Sequence, residues 1–365
     1  MNVIRHIPAL TALTTRAAVS AIAAGLALAA GFAGPAAAQT PEVVTLKVHH
    51  FWPPGAMPPT QLLGPWCDKI AKDSNNKMKC QIYPAMQLGG TPAQLIDQVK
   101  DGVVDIAFTL PGYTAGRFPV MEVFELPFIT SSAEQGSRAA WDFYQKYGKS
   151  EFDAKGIKPL MFAVHDNGYL HTREKQIKTM ADLKGLKFRA PTRMTNKLLA
   201  SLGATPVAMP LPQVPEAVSK GVIDGFLLPW EVIPTVKLHE LVKYDTETDP
   251  SRPALYTAVF ILAMNPAKYN SLPAELKSII DKNSGAVLSD TAGKVWDASA
   301  PPARKAAEQH GNTFYTIPGA ELDNWIKASS GLYDEWVSNM DKTGLPGKQM
   351  LSDARAMLAK YKTAQ

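Results

Sequence analysis

The strongest constraint on the fold is a short unit that the chain uses twice. Val99-Lys100-Asp101-Gly102-Val103-Val104-Asp105 lines up with the later run Val218-Ser219-Lys220-Gly221-Val222-Ile223-Asp224. In each copy an apolar-faced helix stops at a glycine and a buried strand begins. The first copy carries its signals openly. Thr91 caps, Pro92 suits the first helical position, Leu95, Ile96 and Val99 make the apolar face, and Gly102 ends a helix expected over Thr91–Gly102. A strand is expected over Val103–Thr109. Upstream, Pro84-Ala85-Met86 roughly matches Val207-Ala208-Met209. Two like βαβ units predict two lobes of like architecture.

The rest of the pattern alternates in the same way. Strands are expected at Val44–His49, Met78–Tyr83, Lys158–Val164, Leu186–Ala190, Ile223–Leu228 and Tyr256–Met264, and helices at Pro59–Asp73, Ser132–Tyr147, Thr192–Leu202 and Pro273–Gly285. Such alternation favours an α/β fold with helices on both faces of mixed or parallel sheets. From about Ala286 onward the pattern is nearly all helical, with Trp296, Trp325 and Trp336 as packing anchors. Lobe crossings are expected at Asp166-Asn167-Gly168 and Pro250–Pro253. Lobe I is then 39–166 plus 254–294, and lobe II 167–253 plus 295–365 with the C-terminal helices. Clefts in such sheets open beyond the carboxyl ends of strands. That rule selects His49–Trp52, Thr109–Tyr113, Arg189–Thr192 and Leu228–Glu231 as walls.

Residues 1–38 read as a secretory signal. Arg5 and Arg16 flank a small-residue apolar core, Ala17–Ala33, and Ala36-Ala37-Ala38 is a good cleavage site. The protein is thus expected to work outside the cytoplasm, in the periplasm. Cleavage lowers the net charge of +5 by two, because those arginines are the only charged residues removed. So slight a charge with no basic run gives no footprint for nucleic acid. Cys67 and Cys80 are the only cysteines, and in an oxidising compartment they are expected to pair. The bridge would close a short loop, worth roughly 3 kcal/mol on loop entropy.

Catalytic constellations are hard to find. The chain has no Gly-x-Ser-x-Gly elbow, His-Glu-x-x-His, Walker loop or Gly-x-Gly-x-x-Gly fingerprint. His49-His50 would face opposite sides of a strand and cannot easily share one metal. Asp166, His165 and Glu231 make an acid/base set only on paper. The stretch TMADLKGLKFR, Thr179–Arg189, instead sets a guanidinium on a strand directly after a short capped helix, facing the later Gly221–Gly225 unit. A guanidinium offers two parallel donors that match a carboxylate. This is a receptor's cleft for an organic acid, with no cofactor, and not an enzyme's.

These motifs together resemble the substrate-binding proteins of TRAP transporters, the DctP-like family. The likeness rests on TMADLKGLKFRAP (Thr179–Pro191), Gly203-Ala204-Thr205-Pro206, GVIDGFLLP (Gly221–Pro229), Tyr83-Pro84 with Gln87-Leu88-Gly89-Gly90, Asp101–Asp105, and Leu126-Pro127-Phe128. It runs in order from about residue 44 to 300. It implies a two-lobed periplasmic-binding-protein fold, with strands crossing between lobes and a long helix spanning both. It also implies delivery of the ligand to the membrane subunits of a sodium-driven transporter. By that pattern Arg189 pairs with the ligand carboxylate. A monomer is the default.

The departures from the family pattern indicate the ligand. Leu170 takes the place, after Asn167-Gly168, where sialic-acid receptors often carry a second arginine. Leu228 replaces a polar asparagine, Leu110 stands where sugar-acid receptors have a carboxylate, and Leu211 where a phenylalanine is common. Leucine walls leave ligand hydroxyls unpaired, at about 1–3 kcal/mol each, and favour an apolar body at roughly 25 cal/mol per Å². Phe51, Trp52, Tyr113, Tyr169 and Trp230 fall on the same walls and offer rings for stacking. His50, Tyr113 or Glu231 is expected to engage a neighbouring oxygen, and Met209 to line the site. The expected ligand is a hydrophobic or aromatic monocarboxylate. Two alternatives remain open at this point: a small keto or hydroxy acid held through a cation at Trp230-Glu231, and a periplasmic sensor or enzyme on the same fold.

Overall fold

The computed structural model describes residues Val43–Lys362; the export segment read at residues 1–38 lies outside them. Among the described residues eleven strands form two sheets. They are β1 (Val44–His50), β2 (Met78–Tyr83), β3 (Ile106–Thr109), β4 (Lys158–Val164), β5 (Gly168–Thr172), β6 (Lys187–Ala190), β7 (Thr205–Ala208), β8 (Gly225–Pro229), β9 (Tyr244–Thr248), β10 (Val259–Met264) and β11 (Thr313–Ile317). Sheet I has the order β2-β1-β3-β10-β4; sheet II, from its other end, runs β7-β6-β8-β5-β9-β11. The two are built alike. In sheet I, β1 is parallel to β2 and β3, and β10 is antiparallel to both neighbours. In sheet II, β6 is parallel to β7 and β8, and β5 is antiparallel to both neighbours. In sheet I this antiparallel strand comes from a later stretch of chain, whereas in sheet II it is the first strand after the crossing. The chain leaves sheet I after Val164 and enters sheet II at Gly168, then returns between Thr248 and Val259. The central strands β3 and β10 are buried along their whole length, so they read as unbroken apolar runs.

The repeated sequence unit does the same work in both lobes. Gly102 and Gly221 end their helices with φ of +73° and +67°, a conformation that side chains with a Cβ resist. Asp105 Oδ2 then accepts the Lys47 N–H of β1 at 2.8 Å, and Asp224 Oδ2 the Lys187 N–H of β6 at 2.7 Å. The strands begin later than expected, however, at Ile106 and Gly225. Val103 and Val222 are spent on the turn, where each N–H bonds back into the preceding helix at 2.9 Å and each side chain is exposed. The helix expected over Thr91–Gly102 is likewise a 3₁₀ turn, Pro92–Gln94, followed by a helix at Leu95–Lys100.

Beyond Ala286 the chain is not all helix, because β11 adds an edge to sheet II. The long helix Ala286–His310 is fastened to both lobes. The Trp296 indole stacks on Phe260 of β10, with centroids 4.9 Å apart, while its Nε1–H donates to Glu231 at 3.1 Å. Near its far end, Arg304 makes a two-bond pair with Glu247 of β9 at 2.7 and 2.9 Å. Trp325 and Trp336 are buried as well. The placement of residues 295–365 with lobe II fails for the last helix, Gly347–Lys360. It packs on helix Ala133–Phe143 beside sheet I, where Gln135 donates to the Leu358 carbonyl at 2.9 Å. Cys67 and Cys80 form a disulfide joining helix Gly64–Asp73 to β2.

Candidate functional site

The two sheets point the carboxyl ends of β1, β3, β6 and β8 toward one another, and the crossing segments pass between them. Between them lies a partly open cavity. Phe51, Trp52, Leu110 and Tyr113 come from the loops after β1 and β3. Lobe II supplies Arg189, Pro191, Leu211, Leu228, Glu231 and its neighbours Pro229 and Val232. The crossings contribute His165, Tyr256 and Ala258, and β10 adds Phe260.

Arg189 sits on β6 with 1 % of its surface exposed. Its Nε–H donates to the Met209 carbonyl at 3.0 Å and Nη1–H to the Leu227 carbonyl at 2.9 Å. A guanidinium has five N–H groups, so three stay free on Nη1 and Nη2. Among the described residues no carboxylate lies within salt-bridge distance of it. Burial lowers its pKa, a shift that the nearby Tyr113 and Tyr256 phenols oppose. A buried cation held by backbone dipoles and lacking a counter-charge is costly unless an anion joins it. Tyr113 reaches Arg189 from lobe I, and its hydroxyl accepts the Leu211 N–H at 3.2 Å, which ties the lobes together.

Rings form the apolar wall. Phe51 stacks on Trp52 with centroids 3.9 Å apart, and Tyr113 meets the Phe51 edge at 5.5 Å. Behind them, Trp52 rests on Phe108 and Phe260, so the wall is braced from the core of lobe I.

The crossing segments are knitted to each other. His165 Nε2 accepts the Ala258 N–H at 3.0 Å, which leaves Nδ1 to carry the proton donated to the Asp166 carbonyl at 2.5 Å. Burial agrees with this neutral ring and pushes its pKa down to about 4. Gly168 donates its N–H to the Tyr256 carbonyl at 3.2 Å. The Tyr256 ring lies so close that a Cβ on Gly168 would sit 2.0 Å from Cε1. Glu231 accepts from Trp296 through Oε1, while burial pushes its pKa up to about 7. Asp166, hydrogen-bonded to Glu231, is raised by burial first and by the charge of Glu231 next. A second interlobe contact flanks the cavity, where Arg193 pairs with Glu122 through two bonds, one at 3.0 Å.

Several expected residues lie elsewhere. His50 is buried without lining the cavity, and burial pushes its pKa down to about 4. Tyr169 packs on Trp230, whose indole donates to Glu247 at 3.0 Å inside lobe II. Leu170 is buried in β5, paired with Leu227. Met209 contributes its carbonyl to Arg189 rather than its side chain. No group of three or more His, Cys, Asp or Glu arranged to hold a metal occurs among the described residues. The lining residues missed from sequence are Tyr256, Ala258, Phe260, His165 and Val232, while Pro191 and Pro229 lie within the expected wall segments. The first three sit at i, i+2 and i+4, the spacing by which an extended segment shows one face.

A family model, bacterial extracellular solute-binding protein family 7 (DctP), matches residues 48–339. A TRAP solute-binding protein from Rhodoferax ferrireducens, solved with copurified benzoate, is 50 % identical. The match covers 87 % of this chain and 98 % of that one, with a TM-score of 0.85. A marine metagenome TRAP protein described as specific for aromatic acid ligands, in complex with metahydroxyphenylacetate, is 45 % identical. It covers 88 % of this chain and 100 % of that one, also at a TM-score of 0.85. A TRAP periplasmic protein from Bordetella bronchiseptica with bound (R)- and (S)-mandelate is 28 % identical, covering 87 % and 100 % of the chains at a TM-score of 0.82.

Proposed function

Because the chain belongs to the bacterial extracellular solute-binding proteins of family 7, we propose that its solute is an aromatic monocarboxylate, captured in the periplasm for a TRAP-type membrane transporter. The observation that carries this reading is Arg189: a buried guanidinium with three free N–H groups, no acidic partner among the described residues, and an aromatic and leucine-lined cavity in front of it. A carboxylate supplies the missing charge through parallel bonds to the fork. The ring then lies between Phe51 and Trp52 on one side and Leu110, Leu211 and Leu228 on the other, where apolar contact stabilises it. The Tyr113 hydroxyl, which accepts from Leu211, keeps its own proton to donate toward the bound oxygen. The likeness to benzoate- and mandelate-bound receptors supports the same ligand class.

A thermal-shift and calorimetry screen tests this with benzoate, phenylacetate, mandelate, sialic acid and succinate. Aromatic acids should lead, and the Arg189→Ala variant should lose about 100-fold or more in affinity for them. Arg189→Lys should be nearly as weak, since an ammonium cannot form the planar fork. A sugar-acid or dicarboxylate hit with no aromatic hit would reject the reading.

A further inference from the structure

The fork is not the only polar group of the cavity wall, and the Tyr256 phenol lies near enough to Arg189 to feel its charge. His165 uses both ring nitrogens in knitting the crossings, and Tyr113 already accepts from Leu211. One polar atom on the wall, the Tyr256 hydroxyl, has no partner in the protein, and Glu231 Oε2 has none but the neighbouring acid Asp166. Both residues are buried, at 1 % and 7 % exposure. Both are also held still. The Tyr256 ring is trapped against Gly168 and meets His165 edge to face at 5.1 Å, and Glu231 is anchored through Oε1 by Trp296. Asp166 is buried beside Glu231 and hydrogen-bonded to it, so the two carboxyls hold a proton between them. Native structures rarely leave such atoms without use.

We propose that Tyr256 and the Glu231–Asp166 pair form a second polar subsite, which takes a hydroxyl carried by the aromatic acid on its ring or its α-carbon. This rests on the Arg189 reading, which commits the ligand carboxylate to the fork. A hydroxyl is the group that both donates and accepts. Its proton goes to Glu231 Oε2, and its oxygen receives the Tyr256 phenol. Raised pKa values let the acid pair keep a proton near neutral pH, so it stands in the wall without a cation. A second carboxylate on the ligand would instead meet the charge of Glu231, which sets the site against dicarboxylates. A bare ring satisfies neither atom.

The test is calorimetry on the full chain with three matched pairs: 3-hydroxybenzoate and 4-hydroxybenzoate against benzoate, and mandelate against phenylacetate. At least one hydroxylated acid should bind about tenfold or more tighter than its parent. The pair that shows the gain tells a ring hydroxyl from an α-hydroxyl. In Tyr256→Phe and Glu231→Gln the ratio should fall to near one. Benzoate binding with no gain for any hydroxylated acid overturns the subsite and leaves the fork standing. So does a gain that survives in both variants. Absence of all aromatic-acid binding overturns both, and is told apart by the missing benzoate signal.

Discussion

Gly168 shows how much a single missing side chain can decide. The antiparallel crossing segments approach so closely there that Tyr256 occupies the volume a Cβ would need. The backbone of Gly168 lies outside the left-handed region, so the constraint is space alone. Gly168→Ala should therefore destabilise the protein by about 1–3 kcal/mol, the usual cost of overfilling a packed site. In a Tyr256→Ala background the same change should cost well under that, because the obstructing ring is gone. Urea unfolding of the four-member cycle measures the coupling. Additive effects would mean that the contact does not limit the approach. Much of the site's residue chemistry was open to sequence reading: Arg189, Phe51, Trp52, Leu110, Tyr113, Leu211, Leu228 and Glu231 all line the cavity. His50 and Trp230 were not placeable in that way. Both belong to the expected wall segments, but which side of a segment meets the cavity is set by how the opposite sheet packs, which no local spacing encodes.

At the level of elements, local signals located most helices and the buried strands, with β2 and β4 found at their observed bounds. What escaped was β5, which begins at Gly168 within the expected lobe crossing, and the strands that lack an apolar run. β7 carries Pro206 at an edge of sheet II, β9 is polar from Asp245 to Thr248, and β11 is fully buried only at Ile317. These become strands because a neighbour offers a free row of N–H and C=O groups, a tertiary cause. The Cys67–Cys80 disulfide serves the same need at the opposite edge, holding helix Gly64–Asp73 against the edge strand β2. Closing so short a loop constrains the unfolded chain by roughly 3 kcal/mol. A Cys67→Ser/Cys80→Ser variant should fold and bind with lowered stability, seen as a drop in the urea midpoint with an unchanged ligand-induced shift. A lost ligand response in the folded variant would tie the bridge to the cavity instead.

For the whole molecule, buried ionisable groups make stability depend on pH in two opposed ways. Burial pushes the pKa of His50 and His165 down to about 4, so the unfolded chain binds more protons between that value and 6.5, and stability rises with pH there. Burial raises Glu125 to about 8, and Glu151 and Glu231 to about 7; here the folded chain holds more protons, and stability is lost as pH climbs from 4.5 through those values. Between pH 6.5 and 8 the histidine contribution is complete and the carboxyls act alone. The ligand-free Tm should therefore fall across that window, and Glu125→Gln should flatten the decline. A Tm that stays level or climbs from pH 6.5 to 8 would contradict these burial effects. The order of the strands carries a different consequence. Because β10 returns to sheet I after sheet II has begun, and β11 then rejoins sheet II, no single scissile point divides this polypeptide into two self-sufficient halves. A fragment ending at Val164 would leave β3 and β4 with a gap between them that only a later stretch of chain can fill. Engineers who wish to transplant one half of the pocket into a homologous receptor must therefore exchange two discontinuous stretches at once, and split-protein reporters made from this scaffold should reassemble only when both pieces are supplied together.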